Sequence, residues 1–100
     1  HAALLQGPAN ADSLFEALRS RYHAERFIRV LRTEQALTER DLDPCACNDS
    51  NRVELRVLPH PNGHVLLTAV LDNLGKGASG AAVQSLNLML ALPEERGLRD

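Results

Sequence analysis

One hundred residues, 44% apolar but only 3% aromatic, suffice for one small domain whose core is built from Leu, Val and Ala. A net charge of -2 with no Lys/Arg block excludes the electrostatic footprint of a nucleic-acid binder, and no apolar run approaches the ~20 residues needed to cross a bilayer. Two cysteines are too few for a disulfide scaffold and the amino-terminal residues lack a signal-peptide pattern, so a cytoplasmic protein is expected.

In chain order, His1-Ala2-Ala3-Leu4-Leu5 reads as the tail of an apolar strand and no initiator Met precedes it, which predicts a fragment of a longer protein. Asn10-Ala11-Asp12-Ser13 sets up a helix start: Ser13 with Glu16 fits a capping box, and Asp12 is a competing cap. Leu14, Phe15, Leu18 and Tyr22 form its apolar face, and it should end near His23 or Ala24. A short strand follows over Arg26–Leu31, then a polar connection over 32–51, where Asp43-Pro44 stops any helix. Arg52–Val57 alternates, with Val53, Leu55 and Val57 on one face and charges on the other, as a half-buried strand of an antiparallel sheet does. Pro61-Asn62-Gly63 carries a hairpin signal. His64–Leu71 returns as a more continuous apolar strand, which predicts a more central place in the sheet. The order predicts an α+β fold, with helices packed on one face of a mainly antiparallel sheet.

The stretch from Asp72 to Leu90 is a glycine-rich turn running into a helix over 76–91. Val83, Leu86 and Leu90 fall at helical spacing, and Leu88 and Met89 widen the apolar surface, so this helix is expected to be buried. Gly80, Ala81 and Ala82 keep it slim, allowing another backbone or a flat ligand to approach. Unpaired N–H groups of its first turn, with Lys76 beside them, suit an anionic or carbonyl-bearing group.

Other constellations do not complete a site. Gly75-Lys76-Gly77-Ala78-Ser79 lacks both the hydroxyl directly after Lys and the earlier glycine of a phosphate loop. Cys45, Cys47, His60 and His64 approach a zinc-finger spacing, but Pro61-Asn62-Gly63 between the histidines makes a turn where a finger needs a helix. Cys45 and Cys47 lie beside Asp43 and Asp49, a setting that disfavours a thiolate, and read as loop cysteines. Arg19, Arg21, Arg26, Arg29 and Arg32 read as a solvated face. No catalytic set is complete, and no metal is expected.

Asp72-Asn73-Leu74-x-Lys76-Gly77-Ala78-Ser79-Gly80-x-Ala82-Val83-Gln84 resembles the C-terminal part of the semialdehyde-dehydrogenase superfamily, shared by aspartate-semialdehyde dehydrogenases and N-acetyl-gamma-glutamyl-phosphate reductases. Three segments favour the second branch: Tyr22 to Leu31, Ser50-Asn51 followed by Glu54-Leu55, and Asn87-Leu88-Met89 followed by Glu94-x-x-Gly97-Leu98. Val53 stands where that family carries a cysteine, and Gly75 where an apolar side chain is usual. The resemblance implies that residues 1–100 are a single partial C-terminal (dimerisation and substrate) domain, part of a glyceraldehyde-phosphate-dehydrogenase-like fold and including the helix over 76–91. It implies an intact enzyme that reduces N-acetyl-gamma-glutamyl phosphate to N-acetyl-glutamate 5-semialdehyde with NADPH, in arginine biosynthesis. It further implies a homo-oligomer, and a catalytic Cys and His lying upstream, so this segment alone is silent. By the same resemblance Asn73, Lys76 and Gly77 are cofactor-side residues, and the final helix packs on the dinucleotide domain. The rival readings are an aspartate-semialdehyde-dehydrogenase-like fragment and a free-standing self-association module.

Overall fold

The computed structural model describes residues 10–33 and 39–100; the expected apolar start at His1–Leu5 and the isolated Leu37 lie outside them. Helix α1 (Ala11–Tyr22) is capped by Asn10, three residues before the anticipated Ser13 cap. Its Oδ1 accepts the Ser13 N–H at 2.8 Å and the Ser13 hydroxyl at 2.9 Å. An Asn three residues ahead reaches an orphan N–H of the first turn as well as a Ser would, and it came first in the chain. The helix ends at the expected place, with His23 as its C-cap.

Strands β1 (Ile28–Arg32), β2 (Val53–Pro59) and β3 (Val65–Leu71) form one sheet in the order β1-β2-β3. β2 and β3 are antiparallel, with Val53 opposite Leu71 and Pro59 opposite Val65. Their hairpin closes through Gly63 N–H to the His60 carbonyl at 3.0 Å, and Gly63 sits at φ +77°, a conformation that glycine adopts without strain. β1 and β2 are parallel, with Ile28 opposite Val53 and Arg32 opposite Val57. The sheet is therefore mixed rather than mainly antiparallel. Alternating burial looks the same whichever way the neighbour runs. The long connection between β1 and β2 carries the chain back across the sheet, as a parallel pair requires. β2, not β3, is the central strand; β3 has one strand neighbour among the described residues, and Leu66 and Leu67 are about half exposed, at 50% and 47%.

Val57 and Leu58 are adjacent in β2, so their side chains point to opposite faces, yet both are buried. Two different layers cover them. Arg32, level with Val57, pairs with Asp12 of α1, which places that helix on the Val57 face. Arg56, on the Leu58 face, reaches Asp41 at 2.9 Å and Thr33 Oγ1 at 3.2 Å, bringing the short 3₁₀ turn Glu39–Leu42 over the other side. The anticipated single helical layer is thus replaced by α1 on one face and a loop segment on the other, and Arg32 is not a solvated residue. Phe27, Val57 and Cys47 are the largest fully buried side chains. Cys47 is accordingly a core residue, although the polar loop around it hid this.

A π-helical turn (Gly75–Ser79) leads into α2 (Gly80–Met89). The expected burial of this helix is not found: Leu86, Leu88 and Leu90 are 53–59% exposed and Met89 82%. Its buried residues are Gly80 and Asn87, with Gln84 half-buried between them at helical spacing. The polar stripe faces inward and the leucines face out. No other element of the described residues stacks over the leucines, and the inward polar groups find partners there that compensate for their burial.

Candidate functional site

The glycine turn is organised by Asp72. One of its carboxylate oxygens accepts the Leu74 N–H and the other the Asp49 N–H, both at 2.9 Å. The bond from Leu74, then that from Asp49, holds the carboxyl below its ordinary pKa. The backbone then runs in π register: Gly77 N–H donates to the Asp72 carbonyl at 3.3 Å, and Gly80 N–H to the Gly75 carbonyl. The Asp72 carboxylate thus fixes the residues that lead into the turn, while neither the π-helical turn nor α2 has a side-chain cap at its start. An Asp whose side chain takes the N–H two residues on is an Asx-turn signal that the glycine pattern overshadowed.

Asn73 and Gly77 are brought together. The Asn73 side chain lies over Gly77 so closely that a Cβ there would collide with Asn73 Oδ1. Its exposed amide has no hydrogen-bond partner among the described residues. Lys76 goes elsewhere. Its ammonium is drawn inward to Gln84 Oε1 and stands 5.4 Å from the centre of the Phe27 ring. Burial lowers its pKa, while Glu94 and Glu25 pull the other way.

Behind Lys76 lies a polar assembly that sequence reasoning did not pick out as a site. Gln84 Nε2 donates to Glu94 Oε1 at 2.6 Å, and Asn51 Nδ2 donates to Gln84 Oε1 at 3.2 Å. Asn87 Nδ2 donates to the carbonyls of Glu94 and Arg96, each at 2.9 Å, and the Asn51 N–H donates to the Arg99 carbonyl at 2.9 Å. Arg26 adds Glu95 at 3.8 Å and Asp100 at 3.5 Å. The carboxy-terminal tail is thereby strapped to α2 and to the start of β2. Between the tail and the glycine turn is a cleft of about 240 Å³, walled by Leu74, Gly75, Gly80 and Leu98 and rimmed by Arg99. Asn51, Gln84, Asn87 and Glu94 all fall in the segments that carried the sequence resemblance, and that was the signal available for them.

The other candidates stay apart. Among the described residues no three His, Cys, Asp or Glu side chains converge for a metal ion. His60 and His64 meet edge to face across the hairpin turn, with ring centres 6.1 Å apart. Cys45 is exposed, whereas Cys47 is buried and its thiol pKa is raised, first by burial and then by Glu54. No helix of the described residues is long and apolar enough to cross a membrane.

No family model matches the chain. It is similar to N-acetyl-gamma-glutamyl-phosphate reductase 2 of Pseudomonas putida, 46% identical over 95 residues, which are 94% of this chain and 30% of that protein. It is likewise similar to N-acetyl-gamma-glutamyl-phosphate reductase of Trichormus variabilis, 45% identical over 98 residues (94% of the chain, 30% of the relative). The reductase of the same name from Burkholderia cenocepacia is 46% identical over 88 residues (87% and 28%). The chain thus spans less than a third of the length of the curated relatives it matches.

Proposed function

We propose that the chain is the C-terminal part of an NADPH-dependent N-acetyl-gamma-glutamyl-phosphate reductase, a cytoplasmic enzyme of arginine biosynthesis. The observation that carries this reading is the similarity, at 45–46% identity over 94% of the chain, to reductases of that name. The geometry supports it. Residues of the matching motif that lie far apart in sequence, Asn51, Lys76, Gly80, Gln84 and Glu94, meet in one assembly behind the glycine turn.

The glycine turn fits the near side of a nicotinamide. Asn73 offers an amide, both donor and acceptor, which is the complement of a carboxamide, and the missing side chain of Gly77 lets that amide lie directly over the turn. When bound, the nicotinamide supplies the hydride. Asn73 and Gly77 would hold and orient it, with Lys76 behind them. The Cys and His chemistry belongs to the part of the enzyme outside this chain, and the 100 residues alone are catalytically silent. The uncovered leucines of α2 give the dinucleotide domain a surface to rest on. Leu66, Leu67 and Leu71 of β3 supply apolar area for association between subunits of a homo-oligomer.

The test is to express the full-length reading frame and follow NADPH oxidation with N-acetyl-gamma-glutamyl phosphate and with aspartyl phosphate. Turnover of the first and not the second is expected. Turnover of neither, or of aspartyl phosphate alone, refutes the proposal. An Asn73→Ala variant with unchanged cofactor KM and kcat removes the site assignment.

A further inference from the structure

We infer that Gln84 is a positioning residue: it holds the ammonium of Lys76 away from the ligand face of the glycine turn, leaving a neutral surface of Asn73 over Gly77. The nicotinamide part of this inference rests on the function proposed above, whereas the placement of Lys76 stands on its own.

Hydrogen-bond chemistry leaves Gln84 no freedom. Lys76 can only donate, so Gln84 must turn Oε1 toward it; the Glu94 carboxylate accepts, so Nε2 must face Glu94. Asn51 is then obliged to offer Nδ2 to the same Oε1, and its Oδ1 is left buried without a partner against Gly80. An amide free to choose would not leave a buried oxygen unpaired. The arrangement accepts that penalty and keeps the cation in place, over the face of Phe27, which is 2% exposed. Lys76 is also the only lysine of these 100 residues, so no neighbouring lysine of this segment takes its place in the turn.

The chemical consequence concerns charge. An oxidised nicotinamide ring is cationic and a reduced one is neutral. An ammonium swung out beside Gly77 would repel the first and not the second. Gln84 thus sets the balance between the two forms of the cofactor, something that a role in stability alone would not do.

The first measurement uses the unaltered chain. Nuclear Overhauser contacts between the Lys76 Cε protons and the Phe27 ring protons are expected, and their loss is expected in Gln84→Leu; absence from the unaltered chain overturns the inference. The second uses the full-length protein and compares its affinities for the oxidised and reduced cofactors. Gln84→Leu should weaken the oxidised form about five- to tenfold more than the reduced form, the size expected for two like charges several ångströms apart in a partly hydrated site. Gln84→Leu combined with Lys76→Met should restore the original ratio. Equal weakening of both forms, or no recovery in the double variant, overturns it. If no nicotinamide binds, the proposed function fails while the Lys76–Phe27 contact is still read.

Discussion

Replacing Gly80 by Ala should destabilise the chain, although the same exchange in an ordinary helix stabilises. Alanine's intrinsic advantage inside a helix is up to about 1 kcal/mol. Against it, a Cβ on Gly80 would stand 2.7 Å from the Gly75 carbonyl oxygen and 2.9 Å from its carbon, and would collide with Asn51 Oδ1. Neither neighbour retreats cheaply. The Gly75 carbonyl is the acceptor of Gly80's own N–H, and Asn51 is tied by its side chain to Gln84 and by its N–H to the Arg99 carbonyl. Overpacking of this kind costs about 1–3 kcal/mol, and a weakened hydrogen bond adds about 1. The net expectation is a loss of about 1–3 kcal/mol, read from urea unfolding followed by far-ultraviolet circular dichroism. Gly77→Ala is the control: its Cβ meets only the exposed Asn73 side chain, which can swing aside, so stability should change by less than about 0.5 kcal/mol. A Gly80→Ala chain as stable as the parent, or more so, would falsify the close packing of Asn51 against this glycine.

Val57→Ala empties a fully buried position between α1 and the sheet and should cost about 2–3 kcal/mol in the same titration; a cost below about 0.5 would mean that the position is not the core. Asp72 has its pKa lowered by backbone donors, so its contribution is present above the ordinary carboxylate value and is lost as pH falls through the depressed folded value. The drop in urea midpoint between pH 6 and pH 2.5 should therefore shrink in Asp72→Asn, and an identical drop in both chains contradicts the anchoring of Leu74 and Asp49 by this carboxylate. With iodoacetamide at pH 8, Cys45 should label in the folded chain and Cys47 only in urea, given its burial and raised pKa; equal labelling of the folded chain speaks against Cys47 in the core.

Local elements were legible wherever the signal depends on near neighbours. The apolar spacing of Leu14, Phe15, Leu18 and Tyr22 located α1, and Asn62-Gly63 located the hairpin. The N-cap slipped from Ser13 to Asn10 because several adjacent polar side chains can serve and only backbone geometry selects one. The glycine turn was legible as a turn, but the anchoring of its entry was not, because Asp49, whose N–H Asp72 also holds, lies 23 positions earlier.

By itself, then, the sequence determined where α1, the three strands, the hairpin and the glycine turn lie, since these follow from periodicity and turn chemistry. Only the tertiary structure decided that β1 runs parallel to β2, that Val57 and Leu58 are covered by different layers, and that α2 turns Gly80, Gln84 and Asn87 inward. Hydrophobic pattern records how much a side chain gains by leaving water, but not what is there to receive it. An amide with several well-placed partners can take the inner side of a helix while leucines stay outside, and that outcome depends on residues brought together from across the chain.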